Sequence, residues 1–299
     1  MEKAITASIP EHLCSFLRPG KEGEILLVTS AGIYLRFEEQ ILLLCDAHWD
    51  VVPIGISLDN FAWATGLLQL RQGQRIRVEK DHLQFPFGKV GLSVKQQPCE
   101  NKGETIPQIA KIRQAAEELA ALRRQRGISM LVLPLVLGQK CYGEWTENPY
   151  CSYACCYLDN LITAFACCDG DKIRSSTEKL LGLGQGLTPS ADDVLLGMLY
   201  VFRTLAPMHT AQTELFQKTI AQLCDQRTNQ ISAAYLKAMI SGAPFERMEQ
   251  VFRGLCGKEI LDIGKLTQIG SSSGSEMLLG MLIALRSCGY DVSQKEDLP

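Results

Sequence analysis

"KQQPCENKGETIPQIAKIRQAAEELAALRRQRG", Lys95–Gly127, is where the period of the hydrophobic pattern changes. Its first part, Lys95–Pro107, is polar and carries Pro98, Gly103 and Pro107, the composition of a domain boundary. Its second part sets Ile109, Ile112, Ala116, Leu119 and Leu122 on one helical stripe, with charge opposite and Gly127 as the stop. Upstream the period is two. "EILLVTS" and "GIYLRFEE" flank a turn at Ser30-Ala31-Gly32, and Ile33, Leu35 and Phe37 alternate with Tyr34, Arg36 and Glu38. "QILLLCDA", "VVPIGISL", "RIRVEKDHLQFPF" and "VGLSV" continue the pattern, so six or seven short strands in a small barrel or sandwich are expected. Downstream, helices are expected over Tyr153–Cys168, Lys172–Leu181, Pro189–Leu205, Thr213–Cys224, Ile231–Ile240, Phe245–Leu255 and Ser275–Cys288. "MLVLPLVLG", interrupted by Pro134, reads as a buried extended segment. The expected fold is α+β, with a β-rich domain over residues 1–105 and a mainly helical domain over 106–299.

Composition narrows the function classes. A net charge of −3 over 299 residues gives no reason to expect nucleic acid or an anionic membrane surface. The N-terminal "MEKAITASIPEHL" lacks the apolar core of a signal peptide. The most apolar stretch, from Cys151 to Cys168, is broken by Asp159 and Asn160 and does not read as a membrane span. A soluble, cytoplasmic protein is the expectation. Its twelve cysteines include no CxxC pair, so the thiols are expected to be reduced, with Cys151, Cys155, Cys156, Cys167 and Cys168 serving as core packing.

The stretch richest in chemistry is "GLGQGLTPSADD", Gly182–Asp193. It lacks the Gly-Lys-Ser/Thr ending of a Walker loop, and its glycines follow a helix as GxGxG rather than a strand as GxGxxG. Thr188 fits an N-cap and Pro189 the first helical position. Gly182, Gly184 and Gly186 allow positive φ and close approach of a ligand to the main chain, and the helix start favours an anion. Asp192 and Asp193 in the first turn would repel that anion, unless a magnesium ion lies between carboxylate and phosphate. Alternatively, a carboxylate accepts a hydrogen bond from an amide or ureido N–H of the substrate, and as ordinary helix-start acid either would add only tenths of a kcal/mol to about 1. A second loop, "GSSSGSE" at Gly270–Glu276, repeats the arrangement with hydroxyls. "SADDVLLGMLY" from Ser190 and "SGSEMLLGMLI" from Ser273 match at six of eleven positions, aligning Asp193 with Glu276. Gly197 and Gly280 lie inside the two following helices, at a cost of about 1 kcal/mol each relative to alanine. Close helix contact would offset that cost and bring both loops to one pocket. The candidate ligand-binding residues are Gly184, Gly186, Thr188, Ser190, Ser272, Ser273, Gly274 and Glu276, with Asp192 and Asp193 as candidate catalytic or magnesium-holding groups.

"GLGQGLTPSADDVLLG", "TNQISAAYLKAMISG" from Thr228 and "IGSSSGSEMLLGML" from Ile269 together resemble the family that includes the AllH-type subunit of bacterial oxamate carbamoyltransferase. The resemblance implies a multi-subunit enzyme of allantoin and purine breakdown that converts oxalurate and phosphate to oxamate and carbamoyl phosphate. It also implies two companions, an FdrA-type subunit and a third subunit. Ala191 stands where the family pattern has glycine, Ser271 where it has histidine and Glu276 where it has aspartate, so any acid–base role of that histidine is absent here. Two readings stay open. One is a carbamoyltransferase subunit whose loops bind phosphate or carbamoyl phosphate. The other is a non-catalytic accessory subunit that holds a small anionic ligand and docks a partner enzyme.

Overall fold

The computed structural model describes residues 5–95, 106–122, 127–139, 148–205 and 210–293. Residues 96–105 lie outside the described residues, and with them most of the expected boundary segment. The chain forms two compact units, one of Met1–Asn101 together with Ala243–Glu246, the other of Lys102–Gly242 together with Arg247–Pro299.

The first unit is a closed eight-stranded barrel, which decides between the two expected β architectures. Its strands are β1 (Ile5–Pro10), β2 (Glu22–Val28), β3 (Gly32–Phe37), β4 (Gln40–Asp46), β5 (Gly55–Leu58), β6 (Arg75–Val78), β7 (His82–Phe85) and β8 (Gly88–Lys95). Around the barrel they run β1-β5-β4-β3-β2-β6-β7-β8, and parallel pairing of β1 with β8 closes it. β4 and β5 are also parallel, and the other pairs are antiparallel. The alternation on β3 has its physical cause in this closure: Ile33, Leu35 and Phe37 are fully buried in the barrel core with Ile25, Leu44, Ile56 and Phe85. Closure also removes both sheet edges, which "ITASIP" makes possible by joining β8. "RIRVEKDHLQFPF" is a hairpin of two strands, because Glu79–Asp81 forms its turn. Two short helices, α1 (Glu11–Cys14) and α2 (Phe61–Leu68), complete the unit.

The second unit carries α3 (Ile109–Ala120), α4 (Val132–Leu135), α5 (Pro149–Cys167), α6 (Gly170–Leu180), α7 (Ser190–Thr204), α8 (Thr210–Arg227), α9 (Gln230–Ile240), α10 (Glu246–Leu255), α11 (Gly264–Thr267) and α12 (Ser273–Ser287). "MLVLPLVLG" is helical rather than extended: a 3-10 turn at Ser129–Leu131 runs into α4, with Pro134 in the first turn, where its missing N–H breaks no helical bond. The cysteine-rich segment is also less buried than its composition suggests. Of its five cysteines Cys151 is buried, Cys155 is intermediate, and Cys156, Cys167 and Cys168 are exposed. The core on that side comes instead from Phe165, stacked on Phe202 at 4.3 Å between centroids and edge-on to Phe216 at 5.8 Å.

At the centre lie α7 and α12. Ser190–Phe202 is buried without a break, and so is Glu276–Leu285, as expected of helices that are apolar on all sides. They cross at the two glycines read from the sequence. A Cβ on Gly197 would collide with the carbonyl of Met277, and one on Gly280 with the carbonyl of Val194. Each glycine thus sits three residues after the carbonyl that the other glycine meets. Alanine has the better helix propensity by about 1 kcal/mol, yet overpacking here costs about 1–3 kcal/mol or more. Gly280→Ala is therefore expected to lower the urea midpoint of the second unit, whereas a purely local propensity effect would raise it.

Candidate functional site

Each of the two crossing helices starts with serine and carries an acid three residues later and a glycine four beyond that: Ser190, Asp193 and Gly197 on α7, Ser273, Glu276 and Gly280 on α12. A capping box would join serine and acid within one helix. Here the contacts are exchanged. Each serine faces the acid of the other helix: the Ser273 hydroxyl draws the Asp193 carboxyl down and the Ser190 hydroxyl that of Glu276, and Ser190 Oγ and Glu276 Oε1 flank the same point beside Gly127. Ser190 thus meets Glu276, and Val194 meets Gly280. The helices therefore run in the same direction, with their N-terminal ends side by side.

Around this exchange each acid has its own donors. Asp193 Oδ2 accepts from Thr188 Oγ1 at 2.9 Å, and the hydroxyls of Thr188 and Ser273 lie 3.1 Å apart. Glu276 Oε1 accepts from the Ile128 amide at 3.0 Å and Oε2 from Ser272 Oγ at 3.1 Å. Asp192 points elsewhere, because successive residues on a helix do not share a face. Its Oδ1 accepts from the Gly182 amide at 2.8 Å, and its Oδ2 from Ser232 Oγ at 2.6 Å and from the Thr228 hydroxyl. Asp192 thus ties the glycine loop to the start of α9, whose cap is Asn229. The neighbouring aspartates are turned toward different donors, and among the described residues no three His, Cys, Asp or Glu side chains are grouped so as to hold a metal ion.

The glycines of the first loop divide by role. All three have positive φ. A Cβ on Gly182 would strike the Arg227 carbonyl, and one on Gly184 the Ser190 amide, so these two allow close packing beneath the helix end. Gly186, at φ 103°, is exposed, with no atom closer than 3.8 Å to where its Cβ would be. Among the described residues the amides of Gln185–Thr188 and Ser271–Ser273 have no hydrogen-bond partner. The Gly182 amide is taken by Asp192, so it is not open to a ligand. The N-cap of α7 is Pro189 rather than Thr188, whose hydroxyl goes to Asp193 instead of to a helix amide. Gly274 is buried against the Leu266 carbonyl and packs α12 on α11 rather than facing solvent.

Four participants, Gly127, Ile128, Thr228 and Ser232, lie outside the candidate set read from the sequence. Gly127 leaves room for the Glu276 carboxyl, which a Cβ there would displace, and so lets the Ile128 amide reach it. Thr228 and Ser232 occur in the second block, four residues apart on one face, a spacing that could have marked a pair of donors.

Burial governs the charge of this cluster. Asp192, Asp193 and Glu276 are each about 1% exposed. Burial holds all three carboxyls above their ordinary range, Asp193 well above it, with the adjacent Glu276 charge adding to the rise; the surrounding donors oppose it. Helix-start acids on a surface would do the reverse.

Residues 180–285 match the family model described as oxamate carbamoyltransferase subunit AllH. The match takes in all three sequence blocks, both loops, Asp192, Asp193, Glu276 and the Gly197–Gly280 crossing. It supports the AllH-type resemblance drawn from those blocks. No solved structure matches the chain. Among the described residues, no helix is long and apolar enough to cross a membrane.

Two outcomes follow. Asp192→Ala leaves three donors without an acceptor and is expected to cost about 3 kcal/mol, since a buried unsatisfied donor costs about 1–3 kcal/mol and the two hydroxyls can re-aim. For pH dependence, a raised native pKa means that the folded state keeps a proton the unfolded chain has released. Stability from Asp193 is then complete below about pH 4, its unfolded value, and is lost as pH rises through the native value. Asp193→Asn removes that loss, so its stability relative to the parent protein should increase as pH is raised, as measured by urea unfolding at several pH values.

Proposed function

We propose that the chain is a subunit of an oxamate carbamoyltransferase-type enzyme and that its paired loops, Gly184–Thr188 and Gly270–Ser273, bind the phosphate or carbamoyl phosphate group. The observation carrying this reading is that the family match spans the place where two helix N-termini lie side by side, with loop amides that have no hydrogen-bond partner among the described residues. Two positive helix ends in one direction favour an anion more than either alone. Thr188, Ser272 and Ser273 supply half-exposed hydroxyls at the same place.

In the proposed reaction a phosphate oxygen attacks the ureido carbonyl of oxalurate. The C–N bond breaks, the amide nitrogen of oxamate leaves with a proton, and carbamoyl phosphate forms. Holding the phosphate in line and stabilising charge on the carbonyl oxygen are contributions that amides and hydroxyls can make. Asp192, Asp193 and Glu276 act in this reading as positioning residues, since their oxygens are committed to the loops. That commitment also favours the second reading, an accessory subunit that binds an anion while a companion subunit carries the reaction. A subunit of this kind works with partner subunits, for which we propose the FdrA-type and third carbamoyltransferase subunits.

Titration calorimetry with phosphate and carbamoyl phosphate is expected to give saturable binding that Gly186→Val weakens at least tenfold, because valine at positive φ must move the loop. Equal binding by both proteins, or none by the parent, would remove the anion site. Turnover of oxalurate by the chain alone, by its companions alone and by the mixture separates the catalytic reading from the accessory one.

A further inference from the structure

Three helix starts converge on Gly127. A Cβ there would strike Glu276 Oε1, in the first turn of α12, and would meet Ser190 Oγ, at the first residue of α7. The Gly127 carbonyl accepts from Asn148 Nδ2 at 3.1 Å and from Cys151 Sγ at 3.7 Å. Asn148 is also the N-cap of α5, where its side chain accepts from the Tyr150 amide at 3.0 Å. The first turn of α5 is thereby held beside the paired helix ends. From it Tyr150, half-buried, reaches the first loop, where the exposed Gln185 donates through Nε2 to the Tyr150 hydroxyl oxygen at 3.4 Å.

One hydrogen joins these two side chains. In this orientation of the carboxamide, the phenol O–H and Gln185 Oε1 have no partner among the described residues. With the carboxamide turned over, the phenol oxygen and the amide NH2 are left instead. Either way a donor and an acceptor stand side by side, the complement of a carbamoyl group, which offers a carbonyl oxygen next to an N–H. Gln185 also begins the run of loop amides without a partner, Gln185–Thr188. Carbamoyl transfer requires a phosphate oxygen to touch the carbonyl carbon, so a phosphate on these amides brings the carbamoyl group within reach of this pair.

We propose that Tyr150 and Gln185 are the specificity-determining pair of the site and hold the carbamoyl group, common to a ureido substrate and to carbamoyl phosphate, by one donated and one accepted hydrogen bond. The assignment rests on the reading of the loops as the phosphate site. It supplies what loop amides alone do not, a distinction between a carbamoyl group and other acyl groups.

Titration calorimetry on the full chain with phosphate, carbamoyl phosphate and acetyl phosphate tests the pair. The last two share a phosphate and a carbonyl and differ by NH2 against CH3. The parent protein is expected to bind carbamoyl phosphate about tenfold more tightly than acetyl phosphate. Gln185→Leu should abolish that preference. Tyr150→Phe, which deletes one oxygen and keeps the ring, should reduce it, since Gln185 loses the group that holds it. Both variants should bind phosphate as the parent does. Equal binding of the two acyl phosphates by the parent, or a preference that survives in both variants, would overturn the assignment. So would a loss of phosphate affinity as large as that of carbamoyl phosphate, because the pair would then only support the loop. No phosphate binding by the parent removes the loop reading itself, whereas phosphate binding without discrimination removes the pair alone.

Discussion

The helical unit depends on one close approach, that of Gly197 and Gly280 to the main chain of the opposite helix. Packing density is high enough that a single methyl group at this crossing has nowhere to go. The approach places the first turns of α7 and α12 together, and everything said of the candidate site follows from that placement. Parallel helices bring two positive ends together, which is unfavourable by itself. The acids of both first turns tie the two ends to their surroundings, Asp193 through Thr188, whose hydroxyl also meets Ser273, and Glu276 through the Ile128 amide and Ser272.

The exchange of partners explains why serine, acid and glycine recur at the same spacing in two segments of otherwise modest similarity. Each residue of one triplet contacts the other triplet or its immediate neighbours, so the two segments constrain one another as the halves of a pseudo-twofold unit do. Asp192 stands outside this symmetry, since Ser275 occupies the equivalent place on α12. Its bonds to Gly182, Thr228 and Ser232 link the first loop to α9 and make the three sequence blocks one structure. The acids seen in the sequence as a hazard to an anion are, in the fold, the framework that holds the loops in place.

Much of this was legible in the sequence where the signal is local or periodic. The strands of the barrel follow from alternation, and the crossing follows from two glycines placed where helix propensity argues against them. What was not legible depends on distant contacts. "ITASIP" shows little as a strand until β8 is beside it. Gly127 reads as a helix stop, and its role under Glu276 comes from a partner 149 residues away in the chain. Thr188 has every local feature of an N-cap, yet Asp193 takes its hydroxyl and Pro189 becomes the cap. The cysteines of α5 follow a composition rule that the helix's own orientation overrides, since the faces carrying Cys156 and Cys167 point away from the core.

The central claim is that the two loops are joined by contacts exchanged between the helices, and a double-mutant cycle on Ser190→Ala and Glu276→Gln measures one such contact directly. Neither substitution changes the size of the helix crossing. Groups in contact within a buried network couple by about 0.5–3 kcal/mol, whereas distant groups add to within about 0.5 kcal/mol. The account predicts a coupling of about 1 kcal/mol or more in the urea unfolding free energies, and strict additivity of the two substitutions would contradict it.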